Sequence, residues 1–139
     1  MKAIIALLLT GLALDARAGF SYLTFDSADG LLLRAHAAAF EGRLRLTPSI
    51  GGKGLGGAWH RGKQHVRDGF ETTFQIQVTE KVRFGADGLA FVIHNTAGEP
   101  GLGWPGCNMG FGGLTNLFVI KFDTYHWLND RPVAPLALN

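Results

Sequence analysis

Residues 116–130, NLFVIKFDTYHWLND, contain the strand that decides the fold. Residues 117–122 are rich in β-branched and aromatic side chains and show no helical period, which predicts a buried β-strand. Asp123 ends this apolar run, and Asn129 and Asp130 follow in the same loop. Calcium takes roughly six to eight oxygen ligands in flexible geometry, so the loop is a candidate calcium site. An Asp at the end of a strand is also typical of a plain turn, in which its side chain bonds its own backbone. Both interpretations stay open on this stretch alone.

The rest of the chain predicts an all-β sandwich of antiparallel sheets. It has 139 residues, enough for one domain, and its 20 glycines separate short apolar runs. Residues 31–40 and 43–47 are expected to form a hairpin around a glycine turn. Residues 69–78 alternate apolar and polar side chains, which predicts an amphipathic strand. Residues 89–93 are apolar on both faces, so we expect them, like residues 117–122, to be central in a sheet.

The first 18 residues are predicted to be a secretory signal peptide. Lys2 supplies the positive start, residues 4–14 the apolar core, and residues 16–18 a small-x-small cleavage site before Gly19. The apolar core is too short to span a bilayer comfortably. We therefore expect cleavage, no stable membrane insertion, and a secreted or periplasmic location.

Charge bears on whether the chain binds nucleic acid, and cysteine content on whether it forms disulfides. Without residues 1–18 the chain carries 11 basic and 10 acidic residues, a net charge of +1, and the basic residues are scattered. That distribution predicts no nucleic-acid partner. Cys107 is the only cysteine, so no internal disulfide forms. We expect it to be a buried apolar filler, with a lone thiol as the alternative. The oligomeric state stays open.

Catalytic motifs are missing from the sequence. The four glutamates are scattered, without the closely spaced pair of carboxylates that many glycosidases use. The five histidines lack the spacing of zinc motifs, and no serine occupies a nucleophile elbow. We therefore expect no enzyme. A polysaccharide-acting hydrolase of the same sandwich architecture is the least favoured alternative.

Two segments together resemble the legume-type (L-type) lectins, including their bacterial secreted members. They are GADGLAFVIHN at residues 85–95 and VIKFDTY at residues 119–125. The order and spacing of the matches follow the N-terminal half of that family over residues 20–130. Lesser matches in the same order are GRLRLTP at 42–48, GAW at 57–59 and GFETTF at 69–74.

The resemblance implies a concanavalin-like jelly-roll sandwich that binds sugars beside bound calcium. In that family the Asp of the ADG motif follows a cis peptide bond and accepts hydrogen bonds from sugar hydroxyls, a role that falls on Asp87. The sugar-binding backbone N–H of the glycine-rich loop falls on Gly106 or on the residue after it. Trp127 or Tyr125 is the aromatic ring that would stack on a sugar face. Asn129 is a further candidate sugar ligand.

The resemblance also implies a set of calcium ligands. Asp123 would bind calcium through its carboxylate and Tyr125 through its main-chain carbonyl. The family next has an Asn where this chain has Trp127, so Asn129 and Asp130 are expected to serve from a shifted loop. The family also has a Glu for a second, transition-metal site where this chain has Lys121. An ammonium group cannot ligate a cation, so we expect that second site to be absent.

The similarity ends before the chain does. Residues 19–130 are predicted to be the N-terminal part of a lectin-like domain, and residues 131–139 an unpatterned tail. The family continues with further strands, so the fold is expected to be incomplete at its C-terminus, as the product of a truncated or frame-shifted coding sequence would be. The expected function is secreted carbohydrate binding to glycans or glycoconjugates. The alternatives are a sandwich domain with a structural or interaction role that binds no sugar, and a degenerate lectin fragment.

Overall fold

The computed structural model of the chain describes residues 19–49, 54–79 and 86–125. The predicted signal peptide, residues 1–18, and the predicted tail, residues 131–139, lie outside these ranges. Within them no helix has the length and apolarity needed to cross a membrane.

All of the regular structure in the described ranges is antiparallel β-sheet, apart from one short 3-10 turn. The all-β class predicted from the sequence is therefore confirmed. Six strands form three two-stranded sheets, which pair β1 with β4, β2 with β3 and β5 with β6. The strands are β1 (Leu31–Ala35), β2 (Ala38–Phe40), β3 (Arg43–Arg45), β4 (Gly56–His60), β5 (Gly88–His94) and β6 (Leu117–Asp123), and the 3-10 turn η1 is Gly106–Asn108.

The sheet of β1 and β4 contains the most buried apolar residues of the described chain. Leu31 and Leu32 each keep 8% of their surface exposed. Leu31 lies opposite His60, and Leu32 lies opposite Trp59. Removal of two leucine side chains from water stabilises this pairing, at about 1.5–3 kcal/mol for each side chain fully buried.

The turn between β2 and β3 confirms the predicted hairpin connection. Phe40 pairs with Arg43. The two residues between them, Glu41 and Gly42, have φ values of 49° and 70°. Positive φ at both central positions is the mark of the tight two-residue turn whose twist matches that of the flanking strands.

The first arm of that hairpin is shorter than predicted. Residues 31–40 do not form one strand, because the chain turns after β1. Ala35 has a φ of 51°, and the amide of Ala37 donates to the main-chain oxygen of Arg34 at 3.2 Å. The turn separates β1 from β2 and sends β1 to a different partner, β4.

β5 and β6 form the longest pairing, with seven residue pairs from Gly88 opposite Asp123 to His94 opposite Leu117. Both strands were predicted from their apolar runs. Their expected position in the centre of a sheet is wrong for the described part of the chain, in which each pairs with the other alone. Phe118 and Ile120 accordingly stay 52% and 42% exposed.

Residues 69–78 are not a strand, contrary to the prediction. No ladder of hydrogen bonds includes them among the described residues, and all ten are exposed. Phe70 and Phe74 nevertheless both lie against Phe91 of β5, with ring centroids 6.3 and 5.7 Å away. The alternating pattern identified the apolar side correctly, because a two-residue period reports which way side chains face. It does not report whether a neighbouring strand is present to pair the backbone.

Candidate functional site

Asp87 lies directly before β5, between a cis peptide bond and a glycine. The bond that joins Ala86 to Asp87 is cis, as the resemblance implies. Gly88 follows with a φ of 131°, a conformation that favours glycine. A Cβ at this position would also press into the main-chain oxygen of Phe122. Glycine at position 88 therefore lets the chain around Asp87 lie close against β6.

The pairing of β5 with β6 brings the two sequence motifs to one end of the sheet. Gly88 lies opposite Asp123, so Asp87 adjoins the chain that leaves β6. The amide of Thr124 donates a 3.0 Å hydrogen bond to the main-chain oxygen of Asp87. Two candidate carboxylates that are distant in sequence, Asp87 and Asp123, are thus placed at the same end of the sheet.

The glycine-rich loop of residues 102–113 is closed by its own backbone hydrogen bonds. The amide of Trp104 donates to the main-chain oxygen of Gly112 at 2.9 Å. The amide of Met109 donates to the main-chain oxygen of Gly106 at 2.7 Å and closes the turn η1. A loop that satisfies its own backbone in this way holds Gly106 in a defined position.

This loop meets the Asp87 motif at two points. A Cβ built on Gly106 would lie 3.8 Å from Oδ2 of Asp87. A Cβ built on Gly88 would lie 3.1 Å from Cε of Met109. The structure therefore brings together Asp87 and Gly106, two of the described residues that the sequence predicts as sugar ligands.

Asp87 and Gly106 both keep hydrogen-bonding capacity. The Asp87 side chain is half-buried, and no described residue hydrogen-bonds to its carboxylate or forms an ion pair with it. The amide of Gly106 likewise has no acceptor among the described residues. An ionised carboxylate accepts from hydroxyl donors, and a backbone N–H donates to an oxygen. The pair therefore suits a ligand that carries hydroxyl groups, which both donate and accept.

Asp123, the candidate calcium ligand, has both carboxylate oxygens occupied. Oδ1 accepts a 3.0 Å hydrogen bond from the amide of Tyr125. Oδ2 lies 3.4 Å from Nζ of Lys121, with the two side chains 45% and 41% exposed. The first contact is the side-chain-to-backbone turn that the sequence left open beside the calcium interpretation.

The remaining candidate ligands lie beyond the described part of the chain. They are Trp127, Asn129 and Asp130. In the described ranges no group of three or more His, Cys, Asp or Glu side chains is arranged to hold a metal ion. Asp123 and the main-chain oxygen of Tyr125 are thus the predicted calcium ligands whose surroundings the structure describes.

Cys107 is exposed, so its prediction as a buried filler is wrong. It lies in η1, next to Gly106, at the surface of the glycine-rich loop. Its sulfur is 3.8 Å from Nδ2 of the neighbouring Asn108. The backbone of the tight turn, rather than the hydropathy of the thiol, sets this exposure.

His94, at the far end of β5, was given no role by the sequence. Its ring lies edge-on to Trp59, with centroids 4.5 Å apart, and its Nδ1 is 3.0 Å from Oγ1 of Thr96. Burial lowers the pKa of His94 below its usual value, and the nearby Lys63 ammonium lowers it further. Trp59 and Lys63 are far from His94 in sequence, so no local motif signals this grouping.

Comparisons with known proteins add no relative to this description. No protein-family model matches the chain, and no curated protein matches it.

Proposed function

We propose that the chain is a carbohydrate-binding protein that holds its sugar between Asp87 and Gly106. One observation carries the proposal. The half-buried carboxylate of Asp87 and the amide of Gly106 have no partner among the described residues, and a Cβ on Gly106 would lie only 3.8 Å from Oδ2 of Asp87. The role of the chain in this proposal is binding rather than catalysis.

Sugar hydroxyls match both halves of this pair. The carboxylate of Asp87 accepts hydrogen bonds from one or two hydroxyls, and the amide of Gly106 donates to a hydroxyl oxygen. A hydrogen bond to a charged group contributes about 1.5–3 kcal/mol, more than a neutral one does. Asp87 is therefore expected to provide most of the affinity, and Gly106 to orient the ring.

Calcium is part of the proposal, with Asp123 and Tyr125 as its described ligands. A carboxylate and a main-chain carbonyl are the hard oxygen donors that calcium prefers, so their chemistry fits. The bound ion would supply positive charge at the end of β6, next to the backbone that carries Asp87. Lys121 now pairs with Asp123 at 3.4 Å and would have to give up that contact.

The wider family assignment belongs to the same proposal. The motifs around Asp87 and Asp123 resemble those of L-type lectins, and the described strands are antiparallel, as a concanavalin-like jelly roll requires. Glycans or glycoconjugates are the proposed partners. The predicted signal peptide supports a secreted or periplasmic location, where such ligands are accessible.

A second candidate is an interaction domain of the same class that binds no sugar. The satisfied carboxylate of Asp123 favours it, because its bonds to Tyr125 and Lys121 replace those that a calcium ion would make. On this alternative the end of β6 is a structural turn. It would need no metal to hold its shape.

A glycan array probed with the purified chain separates the two candidates. We expect binding in calcium that is lost when a chelator is added and restored when calcium is returned. Binding that the chelator leaves unchanged would retain Asp87 and Gly106 but remove calcium from the proposal. An absence of binding in both conditions, from a chain that circular dichroism shows to be folded, would favour the non-binding domain.

A further inference from the structure

A cleft of about 300 Å³ lies at the opposite end of β5 from Asp87. Its walls are the chain that follows β5 and the chain that precedes β6, and His94, Thr96, Glu99 and Thr115 all line it. β5 has seven residues, and a strand rises about 3.3 Å for each of them. The cleft is therefore separated from Asp87 by roughly 20 Å. Its volume is at the lower end of the range for sites that bind small molecules.

His94 lines this cleft, and two neighbours hold its ring in a fixed orientation. Trp59 packs edge-on against its ring, and Thr96 lies 3.0 Å from its Nδ1. Its other nitrogen, Nε2, has no partner among the described residues. In the tautomer in which the Thr96 hydroxyl donates to Nδ1, the imidazole proton lies on Nε2, which is then a donor, and this is the tautomer that an anion would select.

Three cations contact residues that line the cleft, although none of the three lines it. Glu99 is the acid in its wall, and two arginines neutralise it, Arg34 at 3.0 Å and Arg61 at 3.3 Å. Lys63 adds a further positive charge, with Nζ donating to the main-chain oxygen of Thr96 at 2.8 Å. Two arginines therefore pair with the carboxylate of Glu99, and Lys63 adds a third cation beside Thr96, so positive charge exceeds negative charge next to the cleft and attracts anions.

We propose that this cleft binds a small oxyanion, with His94 as a donor and Lys63 as the counter-charge. Three observations support the proposal independently: the cleft itself, the oriented imidazole with an unpartnered nitrogen, and the excess of positive charge. Neither Asp87 nor calcium takes part. The proposal is therefore independent of sugar binding at the other end of the sheet.

Imidazole NMR of the full chain tests the inference, with inorganic phosphate and acetate as probes. Each is titrated at constant ionic strength against sodium chloride, with a chelator present to keep calcium out. We expect saturable shifts of the His94 ring signals and a rise in its pKa when the anion is bound, because a nearby negative charge favours imidazolium. The spectrum of His94→Gln identifies those signals.

Two lysine variants provide the matched comparison. Lys63→Gln should weaken phosphate binding about two- to fivefold, the effect expected for an exposed charge pair. Lys121→Gln, at the other end of β6, should leave it unchanged. Ring signals of His94 that respond no more to phosphate or acetate than to chloride would overturn the proposal. Equal effects of the two lysine variants would overturn it too, because binding would then be adventitious.

Discussion

The amide of Thr124 donates a 3.0 Å hydrogen bond to the main-chain oxygen of Asp87, and this bond joins the two motifs of the candidate sugar site. It uses only the backbone of Asp87. The side chain is left for a ligand, so its chemistry can be changed without breaking the connection between the start of β5 and the end of β6. Substitutions at this position therefore separate binding from folding.

Asp87→Asn should abolish sugar binding and leave the fold intact. An amide oxygen accepts less strongly than a carboxylate, and loss of a charged hydrogen bond of about 1.5–3 kcal/mol corresponds to a loss in affinity of at least tenfold. Isothermal titration calorimetry with a sugar selected on the array measures the loss, and urea unfolding checks the fold. Asp68→Asn is the control, since that exposed carboxylate has only a 3.8 Å contact with His65. Unchanged affinity in Asp87→Asn would remove this residue from the site.

Gly88→Ala should destabilise the chain more than the same substitution at Gly69. Both glycines have positive φ, 131° and 103°, so each variant stores backbone strain of about 1–3 kcal/mol. The Cβ at position 88 would in addition press into the main-chain oxygen of Phe122, whereas nothing lies within 4 Å of the Cβ at position 69. Urea unfolding of both variants measures the difference. Equal losses would mean that β6 does not pack against Gly88 as described.

The sequence predicted the strands of this fold better than their partners. The apolar runs of β5 and β6 identified both strands, because the hydropathy pattern of a strand depends only on its own residues. Residues 69–78 have the clearest alternation in the sequence, yet they form no strand in the described structure. Pairing depends on whether a second strand is present alongside, which the pattern of one segment does not contain.

In the candidate site, too, the sequence predicted individual residues better than the contacts between them. Asp87 and Gly106 were nominated through motifs, and the structure places them together. The contact of Lys121 with Asp123 was not predicted, although residues two apart on a strand share one face. The contact of His94 with Trp59 could not be predicted, because Trp59 reaches it from a different sheet.

Lys121→Gln should strengthen calcium binding, if the ion binds at Asp123 as proposed. The ammonium group lies 3.4 Å from Oδ2 of Asp123, so it competes for the carboxylate and repels a cation. Because both side chains are about 40–45% exposed, solvent limits the effect to about 0.2–1 kcal/mol, an increase in affinity of up to about fivefold. Calcium titration by calorimetry measures the change, with Lys63→Gln as the control. Weaker calcium binding in Lys121→Gln would contradict the proposed ligand.

Glu99→Gln should lower the free energy of unfolding by about 1 kcal/mol at low salt. Its carboxylate bridges Arg34 and Arg61, at the ends of the paired strands β1 and β4, and exposed pairs of this kind contribute about 0.2–1 kcal/mol each. The loss should shrink in high salt, which screens surface charges. Urea unfolding at two salt concentrations tests this, and Glu71→Gln is the control, because Glu71 is exposed with no described ion pair. A loss that does not depend on salt would assign Glu99 a packing role instead.

The stability of the chain should fall as the solution is acidified through the range in which His94 titrates. Burial and the Lys63 charge lower the pKa of His94, so the folded chain binds its proton less readily than the unfolded chain does. The unfolded state therefore binds more protons than the folded state as the pH falls below about 6.5. The stability that neutral His94 contributes is lost as the pH passes through the lower folded pKa.

His94→Gln should flatten the dependence of the unfolding free energy on pH in this window, measured by urea unfolding between neutral and mildly acidic pH. His65→Gln, which removes a histidine whose side chain is 73% exposed, is the matched control. A dependence on pH that is as steep in His94→Gln as in the wild-type chain would contradict the inferred lowering of the His94 pKa.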